Sequence, residues 1–186
     1  VRFDPLKCWA TATHINRTVD PSRLVGDWYI QRGIPVISYL ENRAHNAVQS
    51  YTYDAEAKEL KATYTFNDES RGGELFTSKE KGRAVNADGT EWAMHLHLGF
   101  MHLPFYLPFD GSQYILDVDD AYSYVIMSSR MTSWWMYIMT RQQAVDAGEL
   151  EKHVKLVVAQ VFPEDRIRVY PQCGEPGRHQ PGICPT

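Results

Sequence analysis

Two histidines one residue apart, His95 and His97, have the spacing in this sequence that most directly allows chemistry. In a strand, alternate side chains lie on one face, so both imidazoles would point the same way. Facing inward, they would bind a metal or haem, or hydrogen-bond the polar end of a ligand, with His102 nearby. The burial preference of apolar side chains favours the opposite orientation, with Met94 and its alternating neighbours inside. Both orientations stay open, and no metal site is assigned.

Acid–base catalysis has few candidates beyond this pair. Asp117 is the one carboxylate considered, provided that its strand turns it inward. The sequence shows no Gly-x-Ser-x-Gly elbow, phosphate-binding loop or dinucleotide fingerprint. We therefore assign no catalytic residue.

The three cysteines, Cys8, Cys173 and Cys184, lie near the two ends of the chain. Their spacing is not that of a zinc site. A bridge from Cys8 to the tail would hold the chain ends in place. Together with the sequon at Asn16, the cysteines favour an oxidising compartment, so we expect a secreted, periplasmic or organelle-lumen protein.

The length of 186 residues corresponds to one domain, and the net charge is −4. This acidic balance argues against a nucleic-acid partner, which would favour a basic surface. No apolar run reaches the roughly 18 residues that span a membrane. The start at Val1 is interpreted as that of a trimmed chain, from which any targeting segment has been removed. Aromatic residues make up 12% of the chain, which favours a sheet protein.

Alternation of side-chain types predicts eight strands. It begins after Gly26, where Trp28 and Ile30 alternate with Asp27 and Tyr29. The same period continues over residues 44–53, 59–66, 75–85, 91–98, 113–118, 122–128 and 133–140, with turn-forming clusters between them. Eight short strands at this spacing indicate a sandwich or a barrel.

The period changes to that of a helix over residues 142–161. Pro163 ends the helix, and residues 164–170 could add one short strand. The chain is thus divided into an irregular lead-in over 1–19, a folded domain over 20–170 and a tail rich in proline and glycine over 171–186.

Three short motifs carry a resemblance to a known family: Gly26 and Trp28 on the first strand, Asp120 and Tyr122 in the turn after strand six, and Arg141 at the end of strand eight. Their order and spacing resemble the lipocalins over roughly residues 18–172, especially the group of apolipoprotein D, bacterial lipocalins and plant temperature-induced lipocalins. The resemblance implies an all-β fold: an eight-stranded antiparallel up-and-down β-barrel with a C-terminal α-helix packed on it. It also implies that Trp28 plugs the closed end with Arg141 stacked over it, so these motifs are structural.

The resemblance also implies which side chains line the interior. It implies that Arg141 and Trp28 point toward the barrel interior, so every second residue from them along strands eight and one is expected to point inward too. On the second strand, the inward residues are taken from an alignment with the relatives. Relatives carry apolar residues where the two histidines stand, which implies an inward orientation. The predicted ligand-binding residues are Ile30, Arg32, Gln49, Tyr51, Tyr53, His95, His97, Trp135, Tyr137 and Met139.

The connection between strands five and six, residues 100–109, is unusually apolar for a loop. A similar loop in plant temperature-induced lipocalins is thought to touch membranes. An exposed apolar patch favours contact with a membrane surface, a protein partner or a second copy in a homodimer, and the alternative is that it folds over the barrel. The residues of this loop are Phe100, Met101, Leu103, Phe105, Tyr106, Leu107 and Phe109.

Relatives pair their terminal cysteines with cysteines in the barrel strands, which are absent here. The resemblance therefore implies a rewired bridge, most simply Cys8 with Cys173 or Cys184, which leaves one thiol free.

The function implied by the resemblance is binding or transport of a small hydrophobic ligand inside the barrel. The candidate classes are a fatty acid, lysolipid, sterol, carotenoid or tetrapyrrole, and no other cofactor is assigned. Two alternatives stay open: a lipocalin-fold enzyme acting on a hydrophobic substrate such as a xanthophyll, and a structural subunit docking on a membrane-associated assembly.

Overall fold

The computed structural model describes residues 12–36, 38, 41, 43–68, 73–98, 107–130, 134–160 and 162–172, with side chains for all of them except 96–98 and 107–110. Within this part of the chain, no helix combines the length and the apolar character that crossing a membrane requires.

A single antiparallel sheet closes on itself. Its hydrogen-bonded order is β2-β3-β4-β5-β6-β7-β8-β1, and β1 pairs again with β2, so these eight strands form the predicted closed barrel. A short strand β9 pairs with the far end of β1. The strands are β1 (Gly26–Ile34), β2 (Ala44–Asp54), β3 (Glu59–Asp68), β4 (Glu74–Ala84), β5 (Glu91–Leu98), β6 (Leu107–Val118), β7 (Tyr124–Ser129), β8 (Met136–Thr140) and β9 (Arg168–Val169).

Side chains alternate between the barrel interior and its outer surface. On β3, Leu60, Ala62 and Tyr64 are buried inside, whereas Lys61 between them is exposed. Strand β8 is buried on both faces because α1 (Ala147–Ala159) covers its outer side. Met136 and Ile138 belong to this outer cluster, packed with Leu150 and Val157 of the helix.

One end of the barrel is closed by the motif residues. The Trp28 ring is buried, and its Nε1 donates to the Leu24 carbonyl at 2.7 Å. The Arg141 guanidinium stacks 3.7 Å above that ring and donates to the carbonyls of Arg23, Val25 and Asp27. The guanidinium is only partly buried, so a cation–π contact of this kind is worth about 1 kcal/mol. This end is therefore held by stacking and by satisfied backbone carbonyls.

Gly26 meets two requirements of the closed end. Its φ is +102°, a region that residues with a side chain rarely adopt. A Cβ at this position would also lie 3.1 Å from Arg141 Nη1. The glycine thus lets the chain turn into β1 directly beneath the arginine.

The helix begins later than its periodicity predicts. Asp146 is the N-cap, and its side chain accepts from the Glu149 N–H at 3.1 Å. The carbonyls of Gln142 and Gln143 accept from Gln31 Nε2 at 3.1 and 3.0 Å, so this segment is held against β1 before the helix starts.

Strands six and seven also differ from their predicted bounds. Strand β6 begins at Leu107, inside the apolar connection, six residues before its predicted start at 113. Strand β7 begins at Tyr124 because Tyr122 has a φ of +56° and belongs to the preceding turn.

Candidate functional site

The candidate site is the barrel interior above Trp28. The buried side chains that meet there form one continuous cluster of apolar and aromatic groups. At mid-depth, the apolar lining comes from Ile30, Met94, Met127 and Met139. Methionine is unbranched and polarisable, so this part of the lining can adapt to the shape of a guest.

A polar pair interrupts this lining at mid-depth. Gln113 Nε2 on β6 donates to Glu80 Oε2 on β4 at 2.5 Å. We call these two residues the mid-barrel pair. Burial raises the pKa of Glu80 to about 7, and the hydrogen bond from Gln113 partly offsets that rise. The lining therefore contains one carboxyl group that is close to half-ionised at neutral pH.

Tyr51 on β2 lies near the mid-barrel pair. Its hydroxyl donates to Met127 Sδ at 3.1 Å across the interior. Burial, followed by the charge of Glu80, raises the pKa of Tyr51 far above its ordinary value of 10.0. Tyr51 is consequently a neutral hydrogen-bond donor at any physiological pH.

A second carboxyl group lies at the end opposite Trp28, where the connection between β1 and β2 places Glu41 inside the barrel. Its Oε2 accepts hydrogen bonds from the hydroxyls of Tyr64 at 3.0 Å, Tyr137 at 2.7 Å and Tyr170 at 2.8 Å. We call these four residues the mouth cluster. Burial, followed by the charge of Glu41, raises the pKa of all three tyrosines well above 10.0, which keeps them protonated donors.

The rings of the mouth cluster also contact one another. The centroid of the Tyr137 ring lies 5.9 Å from each of the ring centroids of Tyr64 and Tyr170. It also lies 5.5 Å from the ring centroid of Trp135, which is next to the cluster. Gly33, which faces Tyr137 on β1, makes room for this ring, because a Cβ there would lie 2.5 Å from Tyr137 Cδ1. The cluster thus joins β3, β8, the β1–β2 connection and the chain after β9.

The chain after β9 reaches the interior through the seam between β1 and β2. These two strands pair directly only near the closed end, from Gly26 to Tyr29 on β1. Beyond it, the Tyr170 N–H donates to the Gln31 carbonyl, and Gln172 Nε2 donates to the carbonyls of Ile30 and Ala47. Residues 168–172 therefore fill the gap and deliver the Tyr170 hydroxyl to Glu41.

Most of the sequence-predicted ligand-binding residues lie in or against the inner cluster. Tyr53 is partly buried, and its ring meets Trp92 edge-on with centroids 6.4 Å apart. Gln49 is buried on the inward face of β2 between Ala47 and Tyr51, which both belong to the cluster. The predicted residues placed inside are Ile30, Gln49, Tyr51, Tyr53, Trp135, Tyr137 and Met139.

Arg32 is a correction, because the prediction assumed unbroken alternation along β1. The pairing of β1 with β8 shifts between Ile30 and Arg32, so Arg32 faces Ile138 of the outer cluster. A bulge of this kind inserts one residue and moves the following side chains to the opposite face. Arg32 therefore lies on the outer surface.

His95 is a second correction. Met94 is buried in the inner cluster, whereas His95 is exposed, so the burial preference of apolar side chains decides this strand. The side chain of His97 lies outside the described residues. Asp117 also faces outward, where Tyr124 Oη donates to its Oδ2 at 2.8 Å. The ring of His153 on α1 contacts the Tyr124 ring there, with centroids 4.0 Å apart and a tilt of 40°.

Five residues of the mid-barrel pair and the mouth cluster were not predicted from the sequence: Glu41, Tyr64, Glu80, Gln113 and Tyr170. The position of Tyr64 could have been predicted, because it shares parity with Leu60, Ala62 and Phe66. The other four gave little sign of burial, because Glu41 is in a connection, Tyr170 follows the helix, β4 is polar on both faces, and Gln113 is a polar residue at the predicted start of its strand. Sequence alternation therefore could not assign Glu80 to the inside.

Other predicted features lie outside the described residues. These are the three cysteines and residues 100–106 of the apolar connection. The backbone of Leu107 and Phe109 is described as part of β6, but their side chains are not. No group of three or more potential metal ligands is found in the described part of the chain.

Comparison with solved structures places this fold among known proteins. The cockroach allergen Per a 4 is 14% identical with a TM-score of 0.61, over 89% of this chain and 96% of that one. The siderocalin Ex-FABP, described as functioning through dual ligand specificities, is 15% identical with a TM-score of 0.59, over 81% and 95%. Lobster apocrustacyanin A1 is 13% identical with a TM-score of 0.57, over 88% and 91%. These identities show a shared fold.

Comparison of sequences identifies a relative and a family. The outer membrane lipoprotein Blc of Vibrio cholerae serotype O1 is 28% identical over 92 residues, which are 48% of this chain. The match spans about half of that relative, 53% of its length. A family model described as a lipocalin-like domain matches residues 19–172. The closed barrel, its C-terminal helix and this match together show that the chain belongs to the lipocalin family.

Proposed function

We propose that the protein binds a small hydrophobic molecule inside its barrel, between Trp28 and the mouth cluster. The observation that carries this proposal is the adaptable apolar lining at mid-depth, made by Ile30, Met94, Met127 and Met139. Transfer of apolar surface from water to such a lining yields about 25 cal/mol per Å² before ordering costs. Lipocalins generally bind such ligands, and the dual ligand specificities of the siderocalin neighbour agree with this role.

Entry is proposed at the end opposite Trp28, where the mouth cluster must open. Each hydrogen bond to the Glu41 carboxylate is worth about 1.5–3 kcal/mol when made to a charged group. The Tyr137 ring contacts the rings of Tyr64 and Trp135, so a ligand that enters here has to displace Tyr137 or pass beside it. The candidate ligand classes are the same as those proposed from the sequence: a fatty acid, lysolipid, sterol, carotenoid or tetrapyrrole.

The experiment combines native mass spectrometry with organic extraction of the purified protein and titration with N-phenyl-1-naphthylamine, whose fluorescence rises in apolar surroundings. Ala62→Phe fills the inner face of β3, whereas Thr63→Phe adds the same ring to its outer face. We expect the unmodified chain and Thr63→Phe to bind the probe, and Ala62→Phe to bind it at least ten-fold more weakly.

Two results would overturn the proposal. One is an unmodified chain that carries no extractable ligand and does not take up the probe. The other is equal uptake by the two folded phenylalanine variants, with folding checked by circular dichroism. If Ala62→Phe does not fold, extraction and titration of the unmodified chain still test the proposal, because neither measurement needs a variant.

The remaining sequence predictions belong to the same proposal. Location in an extracellular, periplasmic or lumenal compartment is compatible with the name of the Blc relative, an outer membrane lipoprotein. Contact of the apolar connection with a membrane surface or a protein partner stays a prediction, as do the disulfide pairing, a homodimer and the enzymatic alternative.

A further inference from the structure

Glu80 is the carboxyl group that a bound ligand would meet at mid-depth. Its strand neighbours in the sheet are Ala62 on β3, which lies in the inner cluster, and Leu96 on β5. Gln113 occupies its Oε2, and Oε1 has no hydrogen-bond partner among the described residues. One acceptor oxygen is therefore available to a guest.

The described interior contains further acids. Glu41 accepts the three tyrosine hydroxyls of the mouth cluster, and Asp68 is buried on the inward parity of β3. A ligand that passes from the mouth cluster to the mid-barrel pair thus meets carboxyl groups at two depths.

The described basic side chains of the barrel strands lie on the other face. Lys61, Lys79, Arg83 and His95 are exposed. Lys81 pairs with exposed Lys61, and Arg32 pairs with Ile138 of the outer cluster. His45 is buried, but it pairs with Asn67, which alternates with inward Phe66, so it lies on the outer face of β2. Among the residues described on these strands, none offers a positive partner to a ligand carboxylate inside the barrel.

From this arrangement we infer that the ligand carries a hydrogen-bond-donating polar end, best an ammonium group, which the mid-barrel pair binds while the hydrocarbon part contacts the methionine lining. This inference rests on the proposed function and narrows its ligand class. A charge-assisted bond from an ammonium group to Glu80 is stronger than a neutral one. A carboxylate in the same place would be desolvated beside an acid with no counter-charge.

The test uses three probes with one hydrocarbon chain: decylamine, decanol and decanoate. Each displaces N-phenyl-1-naphthylamine at about pH 8, where Glu80 is ionised and its neighbours Tyr51 and Gln113 are neutral. We expect decylamine to displace the probe at a concentration at least ten-fold below that of decanoate, with decanol between them. In Glu80→Gln, the advantage of decylamine over decanol should fall at least five-fold while decanol binding is kept. Glu56→Gln, an exposed change of the same charge in the β2–β3 turn, should leave all three unchanged.

The outcomes separate the two proposals. Decanoate binding as well as decylamine, or an amine preference that survives in Glu80→Gln, overturns the inference and leaves the proposed function in place. Failure of the naphthylamine probe and of all three chains to bind overturns both. If Glu80→Gln does not fold, the order of the three probes on the unmodified chain still decides the inference.

Discussion

Replacing Glu80 by glutamine should change how the stability of the protein depends on pH. Burial raises the pKa of this carboxyl from 4.5 to about 7 in the folded state. The folded state therefore holds the proton more tightly than the unfolded chain does. The contribution of this proton to the stability of the folded state is fully present below pH 4.5 and is lost as the pH rises through about 7.

The magnitude follows from the size of that shift. A difference of about 2.5 pKa units corresponds to about 3 kcal/mol at a pH above both values. Between about pH 5 and about pH 8, the free energy of unfolding of Glu80→Gln should rise by about 2 kcal/mol relative to the unmodified chain. Glutamine keeps the shape and can still accept from Gln113, so packing contributes little to this difference.

Urea unfolding of both proteins at the two pH values measures the effect. The comparison is a difference of differences, so groups that titrate equally in the two proteins cancel. Glu56→Gln, exposed in a turn, is the matched control and should show no such change. A Glu80→Gln difference that is the same at both pH values would refute the claim that Glu80 is a desolvated interior acid.

Three further changes test other parts of the molecule by urea unfolding. Tyr170→Phe removes one of the three donors to Glu41 and should cost about 1.5–3 kcal/mol, whereas an unchanged stability would contradict the mouth cluster. Arg141→Lys keeps the charge but loses the stack on Trp28 and should also cost about 1–2 kcal/mol, with a changed near-UV circular dichroism spectrum. Burial lowers the pKa of His153 below 6.5, so the folded state loses stability as the pH falls below 6.5. His153→Phe should remove this loss, whereas equal acid sensitivity of the two proteins would contradict the burial of an uncharged His153.

The barrel could be predicted because its signal is distributed over the whole chain. The alternating strands and the turn residues between them predict eight strands in a sandwich or a barrel, and the resemblance of the three motifs to the lipocalins favours the closed barrel. The stack of Arg141 on Trp28 was predicted from the resemblance of the motifs to the lipocalins, and the structure confirms this contact. The ends of the elements were predicted less accurately. The positive φ of Tyr122 delays the start of β7, and the long-range hydrogen bond from Gln31 to the Gln142 carbonyl holds the segment before the helix in a non-helical position.

The polar part of the candidate site was harder to predict. One bulge on β1 moves Arg32 outward, and a bulge has no reliable sequence signal. Glu80 stands in a strand whose two faces are both polar, and Glu41 comes from a connection. The mouth cluster exists only because the chain after β9 enters the seam between β1 and β2. Such placements follow from tertiary packing and not from local pattern.

The most direct test of ligand binding inside the barrel uses the methionine methyl groups. Met94, Met127 and Met139 belong to the inner cluster, whereas Met136 lies in the outer cluster under the helix. With methyl-labelled methionine and bound N-phenyl-1-naphthylamine, nuclear Overhauser contacts should link the probe to the three inner methyls and not to Met136. Contacts to Met136 without contacts to the inner methyls would place the ligand outside the barrel and contradict the proposed function.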